Sequence, residues 1–331
     1  MDSESPMRLP YDSTCPVIYD NDAVCDVYTD EYLMALASAG DIRLVGMITS
    51  SSIQPYNPYV PARDYESSAP ADSSTLNMVK NRARGAVLAR RSGFKNIPDP
   101  VRGVKGHLTV PDSGEIEDTV PFGSEGSWLI VNEARKTTAD RPLVLVMGGP
   151  LSVAADAVLL DRSVAERVIV AWLGGTTHGM NDYNGGADPW AACIVLQRLR
   201  LVHFPGNFAT PPRCVGADPR VPKARLYELP DRPLRQWMIE KDCPTNDGPD
   251  ERDGDGPPAI SLMRADYVLA AKRVSFSHWA DNDGRDVPVS KVPFYRDDPN
   301  GRALVVTRAD RDIATEEWWR AMKSPVAWGI I

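Results

Sequence analysis

Between Cys15 and Thr49 the chain reads strand, helix, strand. Val17, Ile18 and Tyr19 make an apolar strand over Cys15 to Asp20, and it ends abruptly in carboxylates: Asp20, Asp22 and Asp26. An amphipathic helix follows over Asp30 to Ala39, with Leu33, Met34 and Leu36 on its apolar side. Asp41 to Thr49 is a second strand. Two strands joined through a helix form a βαβ unit, which implies a parallel sheet.

The alternation continues along the chain. Asn77 to Ser92 reads as a basic, Ala-rich helix, and Ser124 to Lys136 as another. Pro142 to Met147 is a very apolar strand, followed by Gly148-Gly149-Pro150 and a helix through Leu160. Arg167 to Leu173 is a buried strand ending at Gly174-Gly175; Asp188 to Leu199 is a helix and Leu201 to Phe204 a short strand. Leu234 to Lys241 reads as helical, and Ala259 to Met263 begin a further helix. A strand over Ala303 to Thr307 and a helix around Ile313 to Met322 close the pattern. Residues 50–74, 205–232 and 244–258 read as loops. No linker separates two cores. The expectation is one α/β domain over residues 1–331, a mostly parallel central sheet flanked by helices, with a loop-rich excursion at about 50–122.

Composition narrows the function classes. The formal net charge is −8, from 37 basic and 45 acidic residues, which argues against nucleic acid or an anionic membrane as partner. Apolar runs fall short of a membrane span, and Met1 to Pro10 does not read as a secretory signal. Cys15, Cys25, Cys193, Cys214 and Cys243 form no CxxC pair, which disfavours a disulfide framework and a thiolate zinc site. A cytoplasmic enzyme is the expectation that remains.

In a parallel α/β sheet, ligands gather outside the carboxyl ends of the strands. Three such ends carry unusual chemistry. Asp20-Asn21-Asp22 with Asp26 packs carboxylates into one turn, where they repel unless a cation or proton is shared. Oxygen donors of this kind suit Ca²⁺ or Mg²⁺, although one or two of them could simply cap the next helix. Asp30 lies one helical turn beyond Asp26. Gly148-Gly149-Pro150 would let a ligand approach the backbone, or would serve the turn's own geometry. Asn181-Asp182-Tyr183-Asn184 suits a polyhydroxylated ligand such as a sugar, or is an Asx-rich turn before the helix at Asp188.

Together these pieces resemble the inosine–uridine-type nucleoside hydrolase family. The family's Asp-x-Asp-Pro-Gly-x-Asp-Asp signature aligns with Asp20-Asn21-Asp22-Ala23-Val24-Cys25-Asp26-Val27, and its Gly-Ile-Thr-Thr with Gly46-Met47-Ile48-Thr49. Its Leu-Val-x-x-Gly-Pro-Leu element matches Leu145-Val146-Met147-Gly148-Gly149-Pro150-Leu151. The later elements match Leu173-Gly174-Gly175, Asp182-Tyr183-Asn184 and Asp188-Pro189-Trp190-Ala191-Ala192. The C-terminal His-Asp-Pro-Leu-Ala element aligns with Gly254-Asp255-Gly256-Pro257-Pro258, without gaps through Val268.

The resemblance implies metal-dependent hydrolysis of the N-glycosidic bond of a ribonucleoside or related N-riboside. It implies Ca²⁺ held by Asp22, Asp255 and the Gly148 carbonyl, with Asp22 also the general base. Asp26 falls where the family binds the ribose hydroxyls, beside the metal; Asp182 and Asn184 fall where it binds the sugar. Asp20 supports the metal carboxylates. The chain departs from the pattern at two functional positions. Val27 stands at a metal-ligand Asp, so Asp30 or Glu31 is a candidate replacement, and Gly254 stands at the His that protonates the leaving base in part of the family. His178 and His278 are the candidate substitutes.

The alternative is a ribosyl- or sugar-binding relative with little or no hydrolase activity. A phosphate-transfer enzyme using the Asp-x-Asp turn is disfavoured, because no suitable Lys follows Ser50-Ser51-Ser52. The resemblance also implies a homo-oligomer. Trp318, Trp319 and Trp328 are placed either at a contact between copies or packed on the core.

Overall fold

The computed structural model describes residues 8–22, 28–50, 69–206, 218–241, 252–281 and 291–331, with side chains of the helix at 69–91 described from residue 78. Asp26, Val27, Cys25, Cys214, Cys243, Ser51-Ser52 and most of the 50–74 and 244–258 loops therefore lie outside the described residues.

The strands are β1 (Pro16–Asn21), β2 (Arg43–Thr49), β3 (Pro100–Arg102), β4 (Leu143–Met147), β5 (Val168–Gly174), β6 (Arg200–Pro205), β7 (Val268–Asp281), β8 (Lys291–Asp297) and β9 (Ala303–Ala309). They form one sheet in the order β3-β2-β1-β4-β5-β6-β9-β7-β8. All pairings from β3 through β9 are parallel, and the β7–β8 hairpin adds an antiparallel edge. The helices are α1 (Thr29–Ala39), α2 (Ala69–Arg91), α3 (Glu125–Ala134), α4 (Ser152–Leu160), α5 (Val164–Arg167), α6 (Tyr183–Ala187), α7 (Pro189–Arg198), α8 (Pro233–Glu240), α9 (Gly256–Met263) and α10 (Arg311–Met322). The fold is thus α/β with a mostly parallel central sheet flanked by helices. None of the described helices is long and apolar enough to cross a membrane.

The central strands are buried along their whole length, as expected of parallel strands covered on both faces. Alternation divides their side chains between two cores. Val17, Tyr19, Val144, Val146 and Ile169 face one core with α1 and α10; Ile18, Leu145, Met147, Val170 and Trp172 face the other with α3, α4 and α7. β1 lies between β2 and β4, so the chain builds outward from it in both directions. The strand order reverses there, and a sheet of this kind binds ligands outside the carboxyl ends of its strands at such a point.

Three elements differ from the sequence reading. The β7–β8 hairpin went unread because its residues are mostly half-exposed and lack a continuous apolar run. The excursion contributes a short edge strand, β3, and α2 begins at Ala69 rather than Asn77. The tryptophans do not form a surface for a second copy. Trp318, Trp319 and Trp328 are 0%, 5% and 1% exposed within their own chain. Trp318 Nε1 donates to Asp253 Oδ2 (3.1 Å), and Trp328 meets Phe94 edge-on.

The excursion is tied down by two buried carboxylates. Asp156 accepts from the backbone N–H groups of Phe122 (2.6 Å), Gly123 (3.1 Å) and Ser124 (3.3 Å). Asp188 accepts from Leu108 N (2.9 Å) and Ser152 Oγ (2.6 Å), and it caps α7 through Ala191 N (3.0 Å). Burial pushes the Asp188 carboxyl up to about 6 despite these donors. Between about pH 4, the ordinary carboxylate value, and pH 6, the folded chain holds a proton that the unfolded chain has released. The associated stability is present at low pH and is lost as pH rises through about 6. Asp188→Asn is expected to flatten the pH dependence of unfolding over this window. Urea midpoints at pH 4.5 and pH 7 measure it; a variant with the wild-type slope contradicts the assignment.

Candidate active site at the carboxyl ends of the strands

The pleat of β1 splits its C-terminal polar residues between two directions. Asn21 shares a face with Tyr19, and Asp20 shares the opposite face with Ile18. Asp20 accepts from Ser50 Oγ (2.7 Å), just beyond β2. Its other oxygen, Oδ2, is buried and accepts no hydrogen bond among the described residues. Burial raises the Asp20 carboxyl to about 7, and the neighbouring Asp22 charge adds to the rise; Ser50 and Arg82 oppose it.

Asn21 points toward Asp255, which precedes α9. Its amide donates to Asp255 Oδ2 and to the Tyr19 hydroxyl, and Tyr19 Oη donates to the same Asp255 oxygen at 3.3 Å. Desolvation holds the Tyr19 hydroxyl well above its usual range, so it stays a neutral donor. Tyr19 and Asn21 were not singled out in the sequence; their i, i+2 spacing on a strand ending in carboxylates was the available signal.

Gly148 and Gly149 bring the carboxylates together. Gly148 N donates to Asp20 O (3.0 Å), continuing the β1–β4 ladder past Met147. A Cβ at Gly148 would lie 1.8 Å from Asp255 Oδ2, and one at Gly149 would lie 3.2 Å from Asp22 Cβ and N. Neither glycine has positive φ, so the turn does not need them for its backbone conformation. They are needed for space: two carboxylate-bearing residues seat against consecutive glycine Cα atoms. Asp22 and Asp255, separated by most of the sequence, are 4% and 0% exposed there.

The third strand end joins through Asn184, on α6. Its Nδ2 donates to Gly148 O (2.9 Å) and to Leu173 O (3.2 Å). Asp182 caps the same helix through Gly185 N (2.8 Å), and burial raises its carboxyl to about 6. Gly174 and Gly175 both have positive φ, and a Cβ at Gly175 would lie 2.6 Å from Gly179 O, so this turn does need glycine. Trp172 Nε1 donates to Gly149 O (2.9 Å), linking the ends of β4 and β5.

Asp20, Asp22, Asp255, Gly148 and Asn184 are thus assembled at one edge, with Asp182 two residues from Asn184. Asp30 is placed differently. It forms a 2.6 Å ion pair with the buried Arg82, which also donates to Ile48 O and to Thr49 Oγ1 (3.1 Å) and lies 5.1 Å over the Tyr19 ring. Glu31 is spent on Lys241 (2.6 Å). Neither carboxylate is placed as an uncommitted substitute for the one missing at Val27. His178 and His278 are both exposed, His278 against Phe294 on the antiparallel edge. Two groups went unread in the sequence. Asp253 is buried between Thr29 and Trp318. His203 is buried between Gly174 O and the Tyr295 hydroxyl, its pKa pulled down to about 4 by desolvation.

Asp22, Asp255 and the Gly148 carbonyl are an all-oxygen donor set, which suits a hard cation such as Ca²⁺ in kind. The uncommitted Asp20 oxygen and the glycine cradle fit the same chemistry. Among the described residues, no three or more His, Cys, Asp or Glu side chains are grouped as a metal site. Asp26, a further carboxylate of the turn, lies outside them.

The glycine cradle gives a direct expectation. Gly148→Ala is expected to displace Asp255 and to destabilise the fold by about 1–3 kcal/mol; Gly149→Ala, with its 3.2 Å contacts, should cost clearly less. Denaturant unfolding of the two variants measures the difference. Equal costs would contradict the cradle.

Neither a protein-family model nor a curated protein sequence matches the chain. Solved structures do. A purine-preferring ribonucleoside hydrolase from Gardnerella vaginalis superposes with TM-score 0.62 at 14% identity, over 96% of this chain and 100% of that one. An inosine–guanosine nucleoside hydrolase gives 0.58 at 14% identity, over 93% and 98%. A type III effector, XopQ, solved with adenosine diphosphate ribose, gives 0.50 at 12% identity, over 96% and 94%. The chain has a nucleoside-hydrolase-like fold.

Proposed function

We propose that the carboxyl-edge site hydrolyses the N-glycosidic bond of a ribonucleoside or related N-riboside, with Ca²⁺ as cofactor. The observation that carries this reading is the seating of Asp22 and Asp255 on the Gly148–Gly149 step, within a nucleoside-hydrolase-like fold. Asp22, Asp255 and the Gly148 carbonyl would hold the ion, with Asp26 beside it. Bound there, Ca²⁺ would make a coordinated water more acidic.

The residues of the chain do the rest. Asp22 takes the proton from the attacking water as general base. Asp182, Asn184 and Asp26 hold the sugar hydroxyls. As the bond to the base breaks, the sugar takes on positive charge, as in glycoside hydrolysis generally. Carboxylates fixed beside the ring stabilise that charge without having to reorganise. Asn21 and Tyr19 orient Asp255, and Asp20 supports the group from β1.

A second reading, a riboside-binding protein with little hydrolysis, is favoured by one observation. Gly254 offers no proton donor, and the candidate substitutes His178 and His278 are exposed. XopQ, solved with adenosine diphosphate ribose, is of similar fold. General acid help is worth about 10²–10⁴-fold in rate, so its loss bears most on poor leaving groups.

A screen of nucleosides and nitrophenyl riboside with added Ca²⁺, reading free ribose, separates the two. Release is expected to favour nitrophenyl riboside over inosine, and Val27→Asp with Gly254→His is expected to raise inosine turnover. No ribose from any nucleoside or from nitrophenyl riboside would leave the binding reading. Inosine turnover near 10 s⁻¹ in the unaltered protein, a median enzyme rate, would show that another group supplies the acid.

A further inference from the structure

The opposite end of the sheet carries a second chemistry. A cavity of about 430 Å³ opens beside the amino-terminal ends of β6 and β9. Four arginines line it: Arg8, Arg200, Arg273 and Arg302, with Asn300 beside them and Leu304 among the apolar lining. Among the described residues, no carboxylate lines it. That is unexpected in a chain of net charge −8, because scattered acids would normally be interspersed among so many guanidinium groups.

The arginines come from separate parts of the chain. Arg200 opens β6, Arg273 lies on β7, Arg302 directly precedes β9, and Arg8 lies before β1. Gly301 makes the convergence possible. A Cβ there would lie 2.1 Å from Val274 O, so only glycine lets the Asn300–Arg302 turn press onto β7. Arg273 donates back to Gly301 O (3.0 Å) and fixes the turn.

This positive charge is only partly offset: Glu166 and Asp140 act on Arg200, and Asp12 on Arg8, from outside the lining. Arg302 pairs with Glu166 at 3.0 Å. Arg200 spends its hydrogen bonds on two backbone carbonyls, Ala139 O (3.2 Å) and Glu166 O (3.1 Å), and its buried Nε–H has no partner among the described residues. Among the described residues, no ion pair forms at Arg8, Arg200 or Arg273. Four guanidinium groups that share so few counter-charges repel one another, and a bound polyanion relieves that repulsion. Guanidinium forks match the tetrahedral oxygens of a phosphoryl group, and the volume is that of a small-molecule site.

We propose that this pocket is a second ligand site, for a small anion carrying two or more phosphoryl charges. It is separate from the carboxylate edge. β6 runs from Arg200 in the pocket to Pro205 beside Gly174, about 17 Å of strand. The proposal therefore stands whether or not the carboxylate edge hydrolyses ribosides.

Calorimetric titration with inorganic pyrophosphate, without metal and at constant ionic strength, tests it. The expected result is one pyrophosphate per chain with a submillimolar Kd. Arg273→Gln and Arg302→Gln are each expected to weaken it about tenfold or more. Both are exposed positions, and circular dichroism checks that the variants fold. Asp22→Ala is expected to leave pyrophosphate binding intact. Failure of the unaltered protein to bind, equal affinity in the arginine variants, or loss of binding in Asp22→Ala would each overturn the proposal. Citrate binding as tightly as pyrophosphate would overturn its phosphoryl assignment.

Discussion

The structure depends on the burial of carboxylates where β1 and β4 end. Asp20, Asp22, Asp253 and Asp255 are each less than 5% exposed. An ionised carboxylate withdrawn from water is costly unless it is hydrogen-bonded, paired or protonated. The surrounding structure supplies hydrogen bonds to three of them. Ser50 serves Asp20, Asn21 and Tyr19 serve Asp255, and Thr29 and Trp318 serve Asp253. Even so, burial holds Asp20 and Asp253 near 7. A fold selected for stability alone has no need of this arrangement. Such an arrangement suits the stabilisation of positive charge that we propose for this site.

Glycine sets how closely those groups approach. Gly148 and Gly149 lie in ordinary backbone conformations and act by having no side chain. Gly174 and Gly175 act by positive φ, which turns the chain from β5 toward Asp182. The two pairs look alike as sequence and serve different physical ends. The distinction matters for the chemistry, because Asn184 reaches back from the second turn to the carbonyl of the first.

Much of the fold was legible in the sequence because its central strands are uniformly buried. Runs such as Leu143–Met147 and Val168–Gly174 leave little ambiguity once a βαβ unit is established. The β7–β8 hairpin was not legible, since an edge strand with half-exposed residues carries no such run. The residues of the site were legible as strand-end carboxylates and glycines. Their partners were not. Asp30 and Asp22 are equivalent as letters, and only the position of Arg82, in a helix beyond a long connection, commits Asp30 to an ion pair. His203 likewise reads as one polar residue in a short strand, and its stacking on Trp172 arises from register with β5. Trp318 and Trp328 read equally well as surface or core, and their burial depends on where α10 docks.

The central claim is that Asp22, just after β1, and Asp255, just before α9, act together on one cation. Isothermal titration with Ca²⁺ near neutral pH tests it most directly. The account expects one ion bound per chain, with binding lost in Asp22→Ala and in Asp255→Asn while both variants remain folded. A chain that binds no Ca²⁺ at millimolar concentration, or that binds it equally well without either carboxylate, would contradict the account.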